Sequence, residues 1–114
     1  MDLTFANTRL RKEMNEAKAM SRTYGPRQAA ILQVVLTSLR AAGSLAIFAP
    51  PYSPPHRCHE LTGNLKGMLS MDLVHPYRLL FEVANFPVPQ RVEGGLDWTK
   101  VTAIRIMKVE NTHG

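Results

Sequence analysis

The sequence contains very little cysteine: Cys58 is the only one, so an internal disulfide is impossible. A chain without disulfides fits a reducing compartment, and we therefore expect a cytoplasmic protein. The first residues, Met1 to Phe5, do not combine a basic region with an apolar run, which argues against a signal peptide. No apolar run reaches the roughly 20 residues that a membrane helix needs, so we expect no membrane partner.

Motifs for metal and phosphate binding are also missing. The sequence has no glycine-rich phosphate loop. His56, Cys58 and His59 are residue types that bind metals, but a His-x-Cys-His order matches no common zinc spacing and the chain has no second cluster. Cys58 beside His59 is a weak candidate for a thiol nucleophile, because side chains at adjacent positions usually diverge. We therefore predict a protein without a metal or other cofactor.

Acidic residues are in short supply. The chain has 9 Asp and Glu against 14 Lys and Arg, which gives a formal net charge of +5. A basic balance suits a polyanionic partner, and nucleic acid is the first candidate, although many basic proteins bind none. A chain of 114 residues has the usual length of one domain, and we predict a single domain over residues 1–114.

Two helices are predicted in the first half of the chain. Residues 2–6 suggest a first strand, after which Asn7 or Thr8 can cap a helix that ends at Tyr24-Gly25-Pro26. Pro26 fits the first position of a second helix, where its missing N–H is not needed. Apolar residues recur at helical spacing in both segments: Leu10, Met14, Ala17 and Met20, then Ile31, Leu32, Val35, Leu36 and Leu39. The short turn between the two segments predicts an antiparallel helical hairpin.

Strands are predicted in the second half, after a surface connector at residues 44–55 that contains four prolines. Residues 67–73 and 77–83 alternate in polarity around a turn at His75-Pro76, which predicts an antiparallel hairpin. Residues 84–100 predict a long loop. Residues 101–109 are apolar at both parities, which predicts a last, central strand covered on both faces at least in part. The order β-α-α-β-β-β predicts an α+β fold, with the helical hairpin on one face of a mainly antiparallel sheet.

The other face of that sheet is where we predict a functional site. Its candidates are charged or polar side chains from the strands and from the turn before the hairpin: Arg57, His59, Lys66, Arg78, Arg105, Asn111 and His113. Arg105, Asn111 and His113 share one parity along and beyond the last strand. If that strand lies beside the hairpin, these side chains are expected to converge on one concave, positive surface.

Such a set of residues suits metal-free RNA cleavage. The ribose 2′-OH attacks the adjacent phosphorus, a base takes its proton, an acid protonates the leaving 5′ oxygen, and cations stabilise the charge on the phosphoryl oxygens. Histidine titrates near neutral pH and can serve as base or acid, whereas Arg and Lys stabilise anions. DNA lacks the 2′-OH, so this chemistry selects RNA.

Each candidate also has a purely structural interpretation. His59 can be a half-buried structural histidine, and His113 can belong to a frayed C-terminus. Arg78 can pair with Glu82 on the same face of its strand, a surface pair of small energetic value. Tyr77 can be a core residue instead of a stacking platform. At the level of the residues, both sets of interpretations stay open.

The middle of the sequence resembles the HigB branch of the RelE/ParE toxins. The resemblance lies in Arg-Cys-His-Glu-Leu-Thr-Gly-Asn-Leu-Lys-Gly at 57–67, Ser-Met-Asp-Leu at 70–73 and Tyr-Arg-Leu-Leu-Phe-Glu at 77–82. Asp-Trp-Thr-Lys-Val-Thr-Ala-Ile at 97–104 resembles the start of the last strand in the "plasmid maintenance killer protein" subgroup. The N-terminal strand and the helical hairpin match the layout of the family, so the resemblance extends over nearly the whole chain.

The resemblance implies a RelE-like microbial RNase fold and a type II toxin that enters the ribosomal A site and cleaves mRNA there. It also implies a cognate helix-turn-helix antitoxin, with DNA reached only through the antitoxin complex. Because one fold supports several functions, two alternatives remain: a DNA gyrase inhibitor, as in the ParE branch, and a catalytically weakened toxin retained as an antitoxin-binding module.

Three residues match functional positions of the family. His59 matches a histidine at which these toxins act on RNA, Arg78 matches their phosphate-contacting arginine, and His113 matches their C-terminal histidine. With Lys66 these are the predicted catalytic residues, and four others are predicted to bind RNA: Arg57, Tyr77, Arg105 and Asn111. The chain departs from the family at Asn111-Thr112, where relatives commonly have Asp-Tyr. Asn111 lacks the negative charge and Thr112 lacks the aromatic ring, so catalysis would depend more on His59 and His113.

Overall fold

A five-stranded sheet with helices on one face forms the structure, a computed structural model that describes residues 1–112. The strands are β1 (Asp2–Phe5), β2 (His59–Glu60), β3 (Met68–Asp72), β4 (Tyr77–Val83) and β5 (Ala103–Asn111). The helices are α1 (Thr8–Asn15), α2 (Ala17–Tyr24) and α3 (Pro26–Ala41). Short 3₁₀ helices lie at Leu45–Phe48, Gly63–Leu65 and Trp98–Lys100. Within residues 1–112, no helix is long and apolar enough to cross a membrane.

The strands follow the order β1-β5-β4-β3-β2 across the sheet. β1 pairs with β5 in parallel, and the other three pairs are antiparallel. The predicted α+β class is therefore confirmed, as are the β3–β4 hairpin and the position of the last strand beside it. β2 is absent from the predicted order, because two residues are too few to show a strand pattern. β5 begins and ends two residues later than predicted.

The first predicted helix is in fact two helices. Glu16 has an extended conformation (φ −113°, ψ 116°) between α1 and α2. Beside it, the side-chain amide of Asn15 donates to the carbonyl of Arg11 over 2.9 Å, a local bond by which asparagine competes with helical backbone bonding. The apolar pattern hides this break, because Met14 and Met20 keep helical spacing across it and both are buried. The predicted helical hairpin is therefore a layer of three helices.

The start of two helices was predicted from capping residues, and both are confirmed. The side-chain oxygen of Asn7 accepts a hydrogen bond from the backbone N–H of Leu10 over 2.8 Å, which satisfies one free donor of the first turn of α1. Pro26 is the first residue of α3 and follows Gly25, whose φ of 82° lies in the left-handed region that glycine adopts without strain.

The hydrophobic core lies between the helices and one face of the sheet. Its fully buried members include Leu32, Val35, Leu36 and Leu39 of α3 and Leu69, Met71, Leu79, Phe81, Ile104 and Ile106 of the sheet. Because side chains alternate between the two faces of a strand, the intervening residues point away from the helices. We call that second face the open face of the sheet.

A β-bulge in β5 changes which residues reach the open face. Leu80 of β4 lies opposite Lys108, but the next residue, Phe81, lies opposite Ile106, so Met107 is the extra residue of the bulge. The bulge explains why apolar residues occur at both parities in this strand. β5 lies between β1 and β4, so its predicted central position is confirmed. The predicted cover on its second face is not found at Arg105 and Lys108, which are exposed.

The same bulge separates two residues that were predicted to share a face. Arg105 lies opposite Glu82, whereas Asn111 lies opposite Tyr77. Glu82 and Tyr77 are five positions apart on β4, so they point to opposite faces of the sheet. The parity that the sequence suggests for Arg105 and Asn111 is therefore wrong, because one inserted residue reverses every side chain beyond it.

Candidate active site

Two rows of side chains cross the open face and form the floor of a cleft. In the first row His59 of β2 lies opposite Ser70, and in the second Arg78 lies between Asp72 and Glu110. The cleft has a volume of about 360 Å³. Its walls come from the connector before β2, from β3 and β4, and from the end of the described chain: Tyr52, Arg57, His59, Ser70, Asp72, Leu73, His75, Pro76, Tyr77, Arg78 and Thr112.

Both ring nitrogens of His59 have partners. Nδ1 lies 2.7 Å from the backbone carbonyl of Arg57, and since a carbonyl only accepts, Nδ1 carries the hydrogen. In the neutral ring Nε2 is then the basic nitrogen. It lies 3.4 Å from Oγ of Ser70, a fully buried residue. This fixes one tautomer of a half-buried histidine and leaves its basic nitrogen at the open face, as a general base requires.

Tyr52 is part of this arrangement, and sequence reasoning missed it. Its ring stacks on the His59 ring with centroids 3.9 Å apart and an angle of 17° between the planes. The guanidinium carbon of Arg57 lies 5.2 Å from the centroid of the Tyr52 ring, within the range of a cation–π contact. Tyr52 lies in the proline-rich segment predicted as a surface connector, between Pro50-Pro51 and Pro54-Pro55. Its aromatic ring between these two proline pairs is the one sequence signal that could have suggested a role.

The loop that holds these rings has an unusual backbone. Tyr52 has φ 68° and Arg57 has φ 50°, values that non-glycine residues rarely adopt. Such conformations persist where surrounding contacts enforce them, and they concentrate at functional sites. Two backbone hydrogen bonds close this loop: Tyr52 N–H donates to Cys58 (3.0 Å), and Arg57 N–H donates to Ser53 (2.9 Å).

Cys58 anchors the loop and does not supply a nucleophile. It is fully buried and has no disulfide partner. Burial, and secondarily the charge of Glu60, raises the pKa of Cys58 to about 12, so the thiol stays protonated at neutral pH and unreactive. Within residues 1–112, no three His, Cys, Asp or Glu side chains lie together in an arrangement suited to a metal ion.

Substitution of Tyr52 tests whether its ring positions His59. We expect Tyr52→Ala to lower RNA cleavage by roughly 3–10-fold, because an aromatic pair contributes about 0.5–1.5 kcal/mol beyond buried area. Tyr52→Phe keeps the ring and is expected to retain activity within about twofold. Nitrogen-15 NMR of the His59 ring adds a direct readout, since loss of the Nδ1–H tautomer in Tyr52→Ala alone identifies positioning. Equal activity in both variants would exclude it.

Arg78 is held by a carboxylate across the strand pair. Its Nη2 and Nε donate to the same oxygen of Glu110 over 2.7 and 3.1 Å, and Lys108 Nζ lies 3.4 Å from the other Glu110 oxygen. The alternative that Arg78 pairs with Glu82 is therefore wrong. Hydrogen bonding and charge from Arg78, with a smaller contribution from Lys108, lower the pKa of Glu110 although partial desolvation opposes the shift. Glu110 is thus ionised at neutral pH and orients the guanidinium.

The Glu110 interaction predicts a pH-dependent part of the folding stability. Because the folded-state pKa lies below the model value of 4.5, this contribution is fully present above that value and is lost as the pH falls through the lowered pKa. We expect the free energy of unfolding of Glu110→Gln to decrease less between pH 5 and about pH 3 than that of the wild type. Urea denaturation at several pH values checks this, and parallel curves for the two proteins would contradict it.

The other arginines of the open face also form ion pairs with carboxylates. Arg57 pairs with Asp72 and Arg105 pairs with Glu82, each at 3.3 Å. The expectation of a strongly positive concave surface is therefore wrong, because every arginine predicted to contact RNA there has an acidic neighbour within 4 Å. Exposed pairs of this kind are weak, so a phosphate group can compete with the carboxylates.

The structure brings together only some of the predicted site residues. His59, Arg57, Tyr77 and Arg78 line the cleft, and Tyr77 is 40% exposed, so it is not a core residue. Three other candidates, Lys66, Arg105 and Asn111, are not among its lining residues, and His113 lies outside the described residues.

Lys66, Arg105 and Asn111 each have a distinct position. Lys66 lines a larger groove of about 1020 Å³ beside the loop at residues 84–97. Arg105 belongs to the row of Glu82, and Asn111 closes the ladder opposite Tyr77. Thr112 lines the cleft, where its hydroxyl donates to the carbonyl of Pro76 over 2.7 Å.

Comparison with known proteins identifies the fold. No protein-family model and no curated protein matches the sequence. The YoeB-YefM complex from Staphylococcus aureus contains a chain of similar structure, with a TM-score of 0.55 and 15% identity over 96% of this chain and 94% of that chain. The YoeB/ParE toxin from Agrobacterium tumefaciens is similar with a TM-score of 0.57 and 10% identity over 97% and 98% of the two chains. The chain has the YoeB/ParE toxin fold.

The YoeB/ParE fold agrees with the RelE-like fold class predicted from the sequence. The alignments cover nearly all of both chains, so the likeness is one of the whole fold. Identities of 10% and 15% establish the fold alone, and fold does not determine activity. The function therefore has to be argued from the cleft.

Proposed function

We propose that this protein is the toxin of a type II toxin–antitoxin system and that it cleaves mRNA on the translating ribosome. The observation that carries the proposal is His59, a histidine in one tautomer with its basic nitrogen at the open face, beside Arg78 in the same cleft. The YoeB/ParE toxin fold supports the toxin assignment. The resemblance of residues 57–82 to HigB toxins supports the mRNA-cleaving branch.

The proposed reaction begins at Nε2 of His59. This nitrogen takes the proton of the ribose 2′-OH, the 2′ oxygen bonds to the adjacent phosphorus, and the bond from phosphorus to the 5′ oxygen breaks. The products are a 2′,3′-cyclic phosphate and a 5′-hydroxyl end. Two of the five N–H groups of Arg78 donate to Glu110, and the others stabilise the charge on the phosphoryl oxygens. His113 is the proposed acid that protonates the leaving 5′ oxygen.

RNA binding in the cleft is proposed for the side chains that surround His59. Tyr77 offers an exposed aromatic face on which a base can stack, and Arg57 offers a guanidinium for a phosphate. Lys66, Arg105 and Asn111 lie away from the cleft, so their proposed role is contact with RNA beyond the cleavage site. No metal takes part in this mechanism.

A second function is favoured by a specific feature of the cleft. Arg57 and Arg78 are both paired with carboxylates, and Asn111-Thr112 stands where relatives commonly have Asp-Tyr. Both features favour, as the second candidate, a catalytically weakened toxin retained as an antitoxin-binding module. The structural neighbour solved as a YoeB-YefM complex supports a protein partner in either case, and we propose a helix-turn-helix antitoxin.

Primer extension in a cell-free bacterial translation reaction tests the proposal. We expect the purified protein to produce mRNA cuts that appear only when ribosomes translate, and the antitoxin to suppress them. Intact mRNA with continued translation would overturn the nuclease assignment. A gyrase supercoiling assay on the same preparation would then separate a gyrase inhibitor from an antitoxin-binding module.

A further inference from the structure

The net charge of the protein is confined to its helical layer. Residues 8–41, which form α1, α2 and α3, contain seven Lys and Arg but only two acidic residues. The rest of the chain contains seven of each and is neutral. The helices therefore account for the whole formal charge of +5, and the sheet with its cleft contributes nothing to it.

The helical cations are also mostly without acidic neighbours. All seven are exposed, and among residues 1–112 only Arg9 forms an ion pair, with Glu13 at 3.3 Å. Glu13 is engaged further by the hydroxyl of Tyr24 over 3.1 Å. On the open face, by contrast, the arginines are matched by carboxylates. The field that attracts a polyanion therefore originates on the helices.

The positions of two of these cations are not explained by helix stability. Lys18 and Arg27 are each the second residue of a helix, and α1, α2 and α3 have no acidic residue in their first turns. Arg9 is also a second residue, but its ion pair with Glu13 one turn later stabilises α1. The helix dipole favours acidic side chains at that end and disfavours cations. Residues that break such a local rule are expected where a function requires them, and here the required property is positive charge on the surface.

Hydrogen bonds through Asn15 connect Arg40 of α3 to α1 at Arg11. Arg40 Nη2 donates to Oδ1 of Asn15 over 2.7 Å, and Asn15 Nδ2 donates to the carbonyl of Arg11 over 2.9 Å. Asn15 also lines a depression of about 290 Å³ with Thr8, Arg11, Lys12 and one acidic residue, Glu16. Hydroxyl, amide and cationic groups of this kind are those that contact phosphate and sugar in nucleic-acid complexes.

We propose that this helical surface docks on the phosphate backbone of folded RNA, and that the cleft on the opposite face acts on a separate strand. The choice of RNA over another polyanion rests on the proposed function. The separation of the two surfaces follows from the fold, since the helices cover the face of the sheet that the cleft does not occupy. The unpaired cations of the helices then supply most of the binding energy, and the cleft supplies mainly the catalytic groups.

The double variant Lys18→Glu/Arg27→Glu tests the surface, with purified bacterial ribosomes as the probe. We expect its affinity at low salt to fall by about tenfold or more, and the slope of log K against log salt to decrease by about 1.5–2. The melting temperature is expected to stay equal or rise, because glutamate suits the first turn of a helix. Loss of binding is then not explained by loss of folding.

Arg91→Glu/Lys100→Glu is the matched control, since it changes the net charge equally at exposed positions outside α1, α2 and α3. It is expected to weaken ribosome binding less than about threefold. Equal losses in both double variants would overturn the inference, because total charge alone would explain them. Unchanged affinity of the helical variant, absence of ribosome binding by the wild type, or equally strong competition by duplex DNA would overturn it as well.

The binding assay also separates this inference from the proposed function. If the wild type leaves mRNA intact but its ribosome affinity depends on Lys18 and Arg27, the nuclease proposal fails and the docking surface stands. If the wild type cleaves mRNA and the helical double variant binds ribosomes as tightly as the wild type does, the docking proposal fails and the nuclease proposal stands.

Discussion

Replacement of His59 by alanine is expected to lower translation-dependent mRNA cleavage by about 100-fold or more, the usual contribution of a general base. The substitution removes Nε2, the nitrogen that the Arg57 carbonyl leaves basic at the open face. Ser70 cannot replace it, because a neutral hydroxyl is a far weaker base. Ribosome binding should change little, since His59 lies outside the helical surface. Primer extension and ribosome sedimentation on the same preparations measure the two quantities.

His56→Ala is the matched control for this prediction. His56 lies three residues upstream, outside the cleft, with its ring packed edge-on against Phe48 at a centroid distance of 6.0 Å. Burial lowers the pKa of His56, so its ring is a neutral packing group. We expect the control to keep cleavage within a few-fold of the wild type after correction for the folded fraction. Full activity of His59→Ala would remove His59 from the mechanism and leave the base unassigned.

Phe81→Ala is expected to have the largest effect on folding, a destabilisation of about 3–5 kcal/mol. Phe81 is fully buried in the core, on the central part of β4. It lies opposite Ile106 directly beside the bulge, where surrounding side chains have little freedom to close the cavity. That loss is a large fraction of the roughly 5–15 kcal/mol typical of a domain, so the variant should be partly unfolded at 37 °C.

The same substitution at an exposed phenylalanine provides the comparison. Phe86 follows β4 by three residues and is 98% exposed, so Phe86→Ala should change the free energy of unfolding by less than about 0.5 kcal/mol. Urea denaturation followed by circular dichroism measures both variants. Similar midpoints for the two would mean that Phe81 is not a core residue and that the assigned register of β4 is wrong. That register also places Arg78 on the open face.

The two faces of the molecule differ in charge, and we assign them different functions. Acidic neighbours keep the cleft close to neutral, and the helices carry the unpaired cations. Glu110 holds Arg78 in one orientation, so the cleft is pre-organised for catalysis. Because the charges in the cleft are paired, the cleft contributes little to the long-range attraction of RNA. Long-range attraction of RNA is then assigned to the helical surface. The two sets of variants should therefore separate binding from cleavage.

The sequence alone determined the elements whose signals are local. The period of two in residues 67–83 predicted the β3–β4 hairpin, because side chains of a strand alternate between faces. Pro26 and the apolar stripe predicted α3, because the proline fixes the first turn and the stripe needs a core. Strand periodicity predicted Arg78 on the exposed face of the sheet, and the resemblance assigned a functional role to His59, which lies just upstream of the hairpin.

Only the tertiary structure decided what depends on contacts between distant segments. The bulge at Met107 reversed the face of Asn111, because strand pairing sets the register and the sequence carries no mark of an inserted residue. Pairing across β4 and β5 gave Arg78 its carboxylate, Glu110, 32 positions away. The ring of Tyr52 reaches His59 because the loop between them folds back. Local patterns thus determine where elements form, and chain folding determines which side chains meet.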